Sequence, residues 1–192
     1  MAELGASIKD HWLQQARRQP SPFFNARPQG EMSLLMIHNI ALPPQTYGGD
    51  WIERLFLGQL PADAHPYFAT IADLQVSAHL LIRRTGELVQ FVPFDQRAWH
   101  AGRSTFQGRD NCNDFAIGIE LEGSDLQPYT QKQYAQLIAV TCGLMQTYPE
   151  ITSARICGHQ QVAPGRKTDP GPAFDWSMYL QALEANKKEL GG

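Results

Sequence analysis

The sequence is poor in cysteine: Cys112, Cys142 and Cys157 are the three in 192 residues. An odd count with no C-x-x-C pair is unsuited to a disulfide framework, and sparse thiols fit a reducing compartment. The chain also lacks any apolar run near the ~20 residues that a membrane-spanning helix needs. Its first ten residues, Met1 to Asp10, lack the basic stretch followed by an apolar one that marks a secretion signal. These absences place the protein in the cytoplasm as an expectation, with no membrane partner. Positive charge is not in excess either. Sixteen Lys and Arg against nineteen Asp and Glu give a net charge of −3, which removes the basic face of a nucleic-acid binder. No internal repeat, low-complexity tract or charge run divides the chain.

What remains is ordinary globular material, 43% hydrophobic and 18% charged. Residues 1–192 read as a single domain long enough to bury a sizeable core. Ile8 to Arg18 reads as a short helix closed by Pro20. Pro20 to Pro28 is too rich in proline for a helix or a central strand and reads as an ordered surface loop. Ser33 to His38 is nearly all apolar, as in a central strand covered on both faces. Leu42 to Asp50 carries Pro-Pro and Gly-Gly and reads as a loop. Short helices are expected at Trp51 to Leu57 and at His65 to Leu74. Ala78 to Arg83 and Leu88 to Pro93 flank Arg84-Thr-Gly-Glu87 as a hairpin. Phe115 to Leu121 is a further strand, and Arg155 to Cys157 the last. Thr130 and Gln133 form a capping-box pattern for a helix ending at Pro149. Trp176, Tyr179, Leu180 and Leu183 stripe a final helix with Asp175 as its N-cap. Strands mixed with helices indicate an α/β (α+β) fold with one mixed central sheet flanked by helices.

Chemistry collects where strands open into loops. His38 ends an apolar strand just before a loop of prolines and glycines, and shares a face with Leu34 and Met36. A histidine merely hydrogen-bonded at a strand end would look the same. Gly158-His159 ends another strand, and the loop that follows carries Lys167 and Asp169. That loop brings Asp169 back either to complete a metal site or only to cap a turn. On the strand Phe115 to Gly123, Ala116, Gly118, Glu120 and Glu122 share one face, a shallow polar floor or a solvated sheet surface. Two histidines and one aspartate match a catalytic zinc with one open position. A nearby carboxylate can take a proton from the attacking water, and a lysine can stabilise an oxyanion.

These residues fall within longer matching stretches. They include Pro20-Ser-Pro22, Ile37-His-Asn39, Leu42-Pro-Pro44, His65-Pro-Tyr-Phe68 and Val76-Ser-Ala-His79. They continue through Phe94-Asp-Gln-Arg-Ala-Trp-His-Ala-Gly102, Gly108-Arg109, Cys112-Asn-Asp-Phe115 and Gly118-Ile-Glu-Leu-Glu-Gly123, to Gly158-His159 and Arg166-Lys-Thr-Asp-Pro-Gly171. Over residues 10 to 180 or so the chain resembles the AmpD family of 1,6-anhydro-N-acetylmuramyl-L-alanine amidases, within the wider family that includes the peptidoglycan recognition proteins. The resemblance implies a Zn2+ cofactor held by His38, His159 and Asp169, with Glu120 rather than Glu122 as catalytic base and Lys167 stabilising the transition state. It implies a muropeptide substrate, cut between the lactyl group of 1,6-anhydro-N-acetylmuramic acid and L-alanine in cell-wall recycling. Asn39, Tyr67, Trp99 and Arg109 are the candidate substrate contacts. His65, His79 and His100 match the family without being its ligands, His100 walling the groove with Trp99. His11 reads as exposed. The chain departs from the resemblance at Gln75 and Asn111, where members often carry arginine, and at Gln160-Gln161. Two other readings stay open: a muropeptide sensor without catalysis, and an exported amidase acting on intact murein.

Overall fold

The computed structural model describes residues 5–190. Six strands form the main sheet: β1 (Arg17–Arg18), β2 (Leu34–Ile40), β3 (Leu80–Ile82), β4 (Leu88–Gln90), β5 (Ala116–Glu122) and β6 (Ile156–Gly158). Their spatial order is β6-β2-β5-β3-β4-β1. β3 and β4 form the expected antiparallel hairpin, and the other pairings are parallel. The sheet is therefore mixed. Among the described residues four α-helices accompany it: α1 (Trp51–Phe56), α2 (Gln131–Thr147), α3 (His159–Val162) and α4 (Trp176–Leu190). Among the described residues, no helix is long and apolar enough to cross a membrane.

Strand alternation sorts the side chains onto two faces. Leu35 and Ile37 of β2, and Ile117, Ile119 and Leu121 of β5, pack with Leu137, Val140 and Leu144 of α2 and with Tyr179 and Leu183 of α4. Each such fully buried side chain contributes about 1.5–3 kcal/mol. Leu34, Met36 and Ala116 face the other way, into a smaller cluster with Ala101, Cys112, Phe115 and Val162. Helix α2 starts where its sequence says. The Thr130 hydroxyl accepts from the Gln133 N–H, and the Gln133 side chain accepts from the Thr130 N–H, each at 3.1 Å. The same Gln133 amide donates to the carbonyls of Ile82 and Glu122, tying the helix to β3 and β5. Asp175 caps α4 through the Met178 N–H at 2.9 Å.

Four expectations are corrected. Residues 8–18 are not a helix: Ile8–Lys9 pairs with Trp12–Leu13, and Arg17–Arg18 joins the sheet beside β4. Asp10 and His11 both have positive φ, 50° and 64°, the conformation of a two-residue hairpin turn. Segment 20–28 is more than a surface loop. Phe24–Ala26 pairs with Gln96–Ala98, and Ser21 and Arg27 are buried. Residues 65–74 hold only a 3-10 turn at Phe68–Thr70. His11 is half-buried and bonded to the Tyr148 hydroxyl at 2.8 Å.

Candidate metal and hydrolytic site

The site lies at the carboxyl ends of β2, β5 and β6, where open α/β sheets place ligands. The parallel register sets Glu120 directly beside His38. The alternation that buries Leu34 and Met36 turns His38 to the same face. His159 begins α3 immediately after β6, and the loop after α3 returns with Lys167 and Asp169. The Gln160 N–H, donating to the Asp169 carbonyl at 3.1 Å, closes that return.

Three donor atoms converge. His38 Nδ1 and His159 Nδ1 are 3.0 Å apart, and Asp169 Oδ2 lies 2.9 and 3.1 Å from them. A tetrahedral metal with bonds of about 2.0–2.1 Å needs donor separations of roughly 3.3 Å, so small movements seat one. Burial, opposed by Asp169, lowers the His38 pKa to about 4, which leaves the imidazole neutral, as a ligand must be. Burial raises the Asp169 pKa, but the His159 and His38 imidazoles beside it outweigh that and hold the carboxyl well below its usual range. Buried Glu120 is pushed far above the usual carboxylate range by desolvation and by Asp169, with Lys167 opposing. Its Oε2 has no hydrogen-bond partner among the described residues. A cation between these groups would relieve both the crowded carboxylates and the orphaned oxygen. The donor set therefore fits a divalent metal.

The two strand carboxylates, which spacing alone leaves equivalent, now differ. Glu122 is occupied: its oxygens accept from the N–H of Gly48 at 2.6 Å and of Arg84 at 3.0 Å, and from Arg83 Nη1 at 3.4 Å. It pins the loop between β2 and α1 to the β3–β4 turn. Glu120 alone of the two lines the groove.

That groove has a volume of about 940 Å³ and contains His38, Glu120, His159, Lys167 and Asp169. Asn39, Tyr67 and Trp99 also line it, whereas Arg109 does not. Arg109 lies over the Phe115 ring and bonds to Glu31 and Gln29 in a separate depression. Asn39 donates to Asp125 Oδ1 and to the Pro170 carbonyl, so its amide holds the loops of the site. Trp99 Nε1 donates to Asn25, and the residue borders the groove. Asn111 sits at φ 59° on an exposed turn outside the groove, a left-handed conformation that asparagine tolerates better than arginine. Gln75 is exposed, between the groove residues Leu74 and Val76.

Sequence reasoning found only Tyr67 of the apolar rim. Leu74 and Leu126, exposed at 47% and 83%, also border the groove. Leu126 carries no sequence signal, because its exposure follows from the turn after β5. His100 does more than wall the groove: its Nδ1 lies 2.9 Å from His38 Nε2.

Known proteins resemble this chain in sequence and fold. A family model for N-acetylmuramoyl-L-alanine amidase matches residues 28–172. The 1,6-anhydro-N-acetylmuramyl-L-alanine amidase AmpD of Salmonella typhimurium (strain SL1344) is 59% identical over 180 residues, covering 92% of this chain and 96% of its own. A crystal structure of a selenomethionine AmpD derivative superposes with a TM-score of 0.88 at 56% identity, over 94% of this chain and 98% of that one. Escherichia coli AmiD, solved in complex with the substrate anhydro-N-acetylmuramic acid-L-Ala-D-gamma-Glu-L-Lys, matches at 0.58 and 30% identity, over 93% of this chain and 65% of its own. On this coverage and identity, the chain belongs to the N-acetylmuramoyl-L-alanine amidase family and is an amidase.

Proposed function

We propose that the protein is a zinc amidase of cell-wall recycling, a single catalytic domain that works in the cytoplasm. It hydrolyses the amide between the lactyl group of 1,6-anhydro-N-acetylmuramic acid and L-alanine. The substrate class rests on the AmpD relatives, whose names specify the anhydro sugar, and on the muropeptide bound by AmiD. The observation that carries the chemistry is the triangle of His38 Nδ1, His159 Nδ1 and Asp169 Oδ2, its sides 2.9–3.1 Å, with Glu120 in register beside it.

His38, His159 and Asp169 would hold the zinc ion. When bound, zinc supplies Lewis acidity, polarising the scissile carbonyl and making water a nucleophile near neutral pH. Glu120 accepts the proton of the attacking water. Burial alone favours its neutral form, and a cation bound beside it would favour the carboxylate that accepts this proton. Glu120 then delivers that proton to the amine nitrogen of L-alanine as the C–N bond breaks. Water thus contributes OH to the lactyl carboxyl and H to the amine. Lys167, exposed at the groove wall, donates to the carbonyl oxygen as negative charge builds. Tyr67 and Trp99 wall the substrate, Leu74 and Leu126 cover its apolar parts, and Asn39 holds the surrounding loops. Arg109, outside the groove, receives no substrate role.

Incubation with an anhydromuropeptide and, separately, with intact sacculi tests the assignment by mass spectrometry. The expected products are free anhydro-N-acetylmuramic acid and a peptide starting at L-alanine, with little release from sacculi. Efficient release from sacculi would point instead to an exported murein hydrolase.

A further inference from the structure

A histidine offers one ring nitrogen to a metal only if the other carries the proton. In this protein one two-residue segment receives that second nitrogen from both histidines. His159 Nε2 lies 3.0 Å from the Ala101 carbonyl. A carbonyl only accepts, so His159 carries its proton on Nε2 and presents a bare Nδ1. His38 Nε2 lies 2.9 Å from His100 Nδ1. When His100 accepts there, the proton of His38 is on Nε2 and its Nδ1 is bare too. The proton of His100 is then on its own Nε2, a buried atom without a partner among the described residues.

The segment is held in place. The backbone N–H groups of His100 and Ala101 both donate to Asn113 Oδ1, at 3.2 and 2.9 Å. The Asn113 carbonyl accepts from the buried Arg27 guanidinium at 3.1 Å. Arg166 Nη2 donates to the Ala101 carbonyl at 2.7 Å. Gly118 makes room for the imidazole: a Cβ there would lie 2.5 Å from His100 Cγ and Nδ1. His100 and Asn113 belong to the Phe94–Gly102 and Cys112–Phe115 stretches, to which the hydrolytic chemistry assigns no role.

We infer that His100–Ala101, latched by Asn113, fixes the metal-binding tautomer of both histidine ligands. His100 and Asn113 are positioning residues for the metal rather than ligands. The inference rests on the zinc reading above. The alternative His38 tautomer places a proton on Nδ1, where Asp169 Oδ2 at 2.9 Å accepts it and the donor is lost to the metal. Removing the acceptor at His100 favours that blocked form. Loss of such an outer partner typically weakens metal binding 10–100-fold.

The test pairs a variant that keeps an acceptor with one that removes it. In His100→Asn, the amide oxygen occupies the position of Nδ1, whereas His100→Leu has no acceptor. Asn113→Asp keeps the oxygen that receives both N–H groups, and Asn113→Leu does not. Zinc dissociation constants are measured on metal-stripped proteins by competition with a chromophoric chelator, with cobalt(II) absorption spectra reporting ligand geometry and metal-free melting temperatures reporting the fold. H100L and N113L are expected to bind zinc 10–100-fold more weakly, and H100N and N113D to stay within about threefold of the parent. If N113L fails to fold, the His100 pair decides. Parental affinity in H100L, or equal weakening in H100N and H100L, overturns the inference. A parent chain that binds no zinc overturns the zinc reading instead.

Discussion

Glu120 and Glu122 lie two residues apart on one strand face, yet their surroundings predict opposite consequences for the same substitution. Glu122 is 2% exposed and accepts two backbone N–H groups and one guanidinium. In Glu122→Gln, one oxygen becomes an NH2 group facing donors. At least one charge-assisted hydrogen bond, worth about 1.5–3 kcal/mol, is then lost. Breaking a buried ion pair outright costs about 3–5 kcal/mol, but Arg83 retains Glu53. The net loss works out at about 2–4 kcal/mol, a fall in melting temperature of roughly 5–15 °C for a chain of this size. Turnover below the transition should survive. Glu120→Gln removes a desolvated carboxyl whose Oε2 has no partner among the described residues. Stability should hold or rise while turnover falls by about 10²–10⁴-fold. Thermal melts and anhydromuropeptide turnover measured side by side separate the two. A stable E122Q enzyme with abolished turnover, or an E120Q enzyme near parental rate, would refute the reasoning.

Other perturbations have equally definite outcomes. Lys167→Ala should lower kcat by about 10²–10³-fold with little change in KM, since the lysine acts on charge that develops only in the transition state; a loss confined to KM would assign it to binding. Gly118→Ala should force the His100 ring back from a 2.5 Å contact, costing about 1–3 kcal/mol of stability. Urea denaturation that shows no loss contradicts that packing. His79 is fully buried, and desolvation together with Arg27 pushes its pKa down to about 3 from 6.5. The folded value is the lower one, so the unfolded chain binds the extra proton between them. The contribution of His79 is complete above pH 6.5 and declines toward pH 3, by about 1.4 kcal/mol per pH unit. In His79→Gln the urea midpoint should fall less steeply with acid, and an unchanged slope would show that His79 does not titrate this way.

The parts legible in sequence are those whose cause is local or periodic. Thr130 and Gln133 cap each other across three residues, so α2 could be read from its first turn. Leu34, Met36 and His38 alternate with Leu35 and Ile37, so the face presented by His38 was fixed by the pleat. The parts that were not legible depend on distant chain. Residues 8–18 have an apolar spacing that suits a helix, but the Leu13 N–H donates to the Gln90 side chain and Arg17–Arg18 pairs with β4. Tertiary pairing there overrides local propensity. Nothing near Glu122 in the sequence announces Gly48 and Arg84, which consume its carboxylate, so its distinction from Glu120 needed three dimensions. The same holds for His100, whose contact with His38 joins residues from separate strands and loops.

The most direct test of the account is a zinc titration of the chelator-stripped protein, followed by turnover of an anhydromuropeptide. The account predicts an inactive stripped protein whose rate rises linearly and breaks at one zinc per chain. It also predicts that His38→Ala shows no such rise at the same concentrations. Turnover in fully stripped protein, or a rise in the His38→Ala protein that matches the parent, would contradict the proposal that His38, His159 and Asp169 form the catalytic metal site.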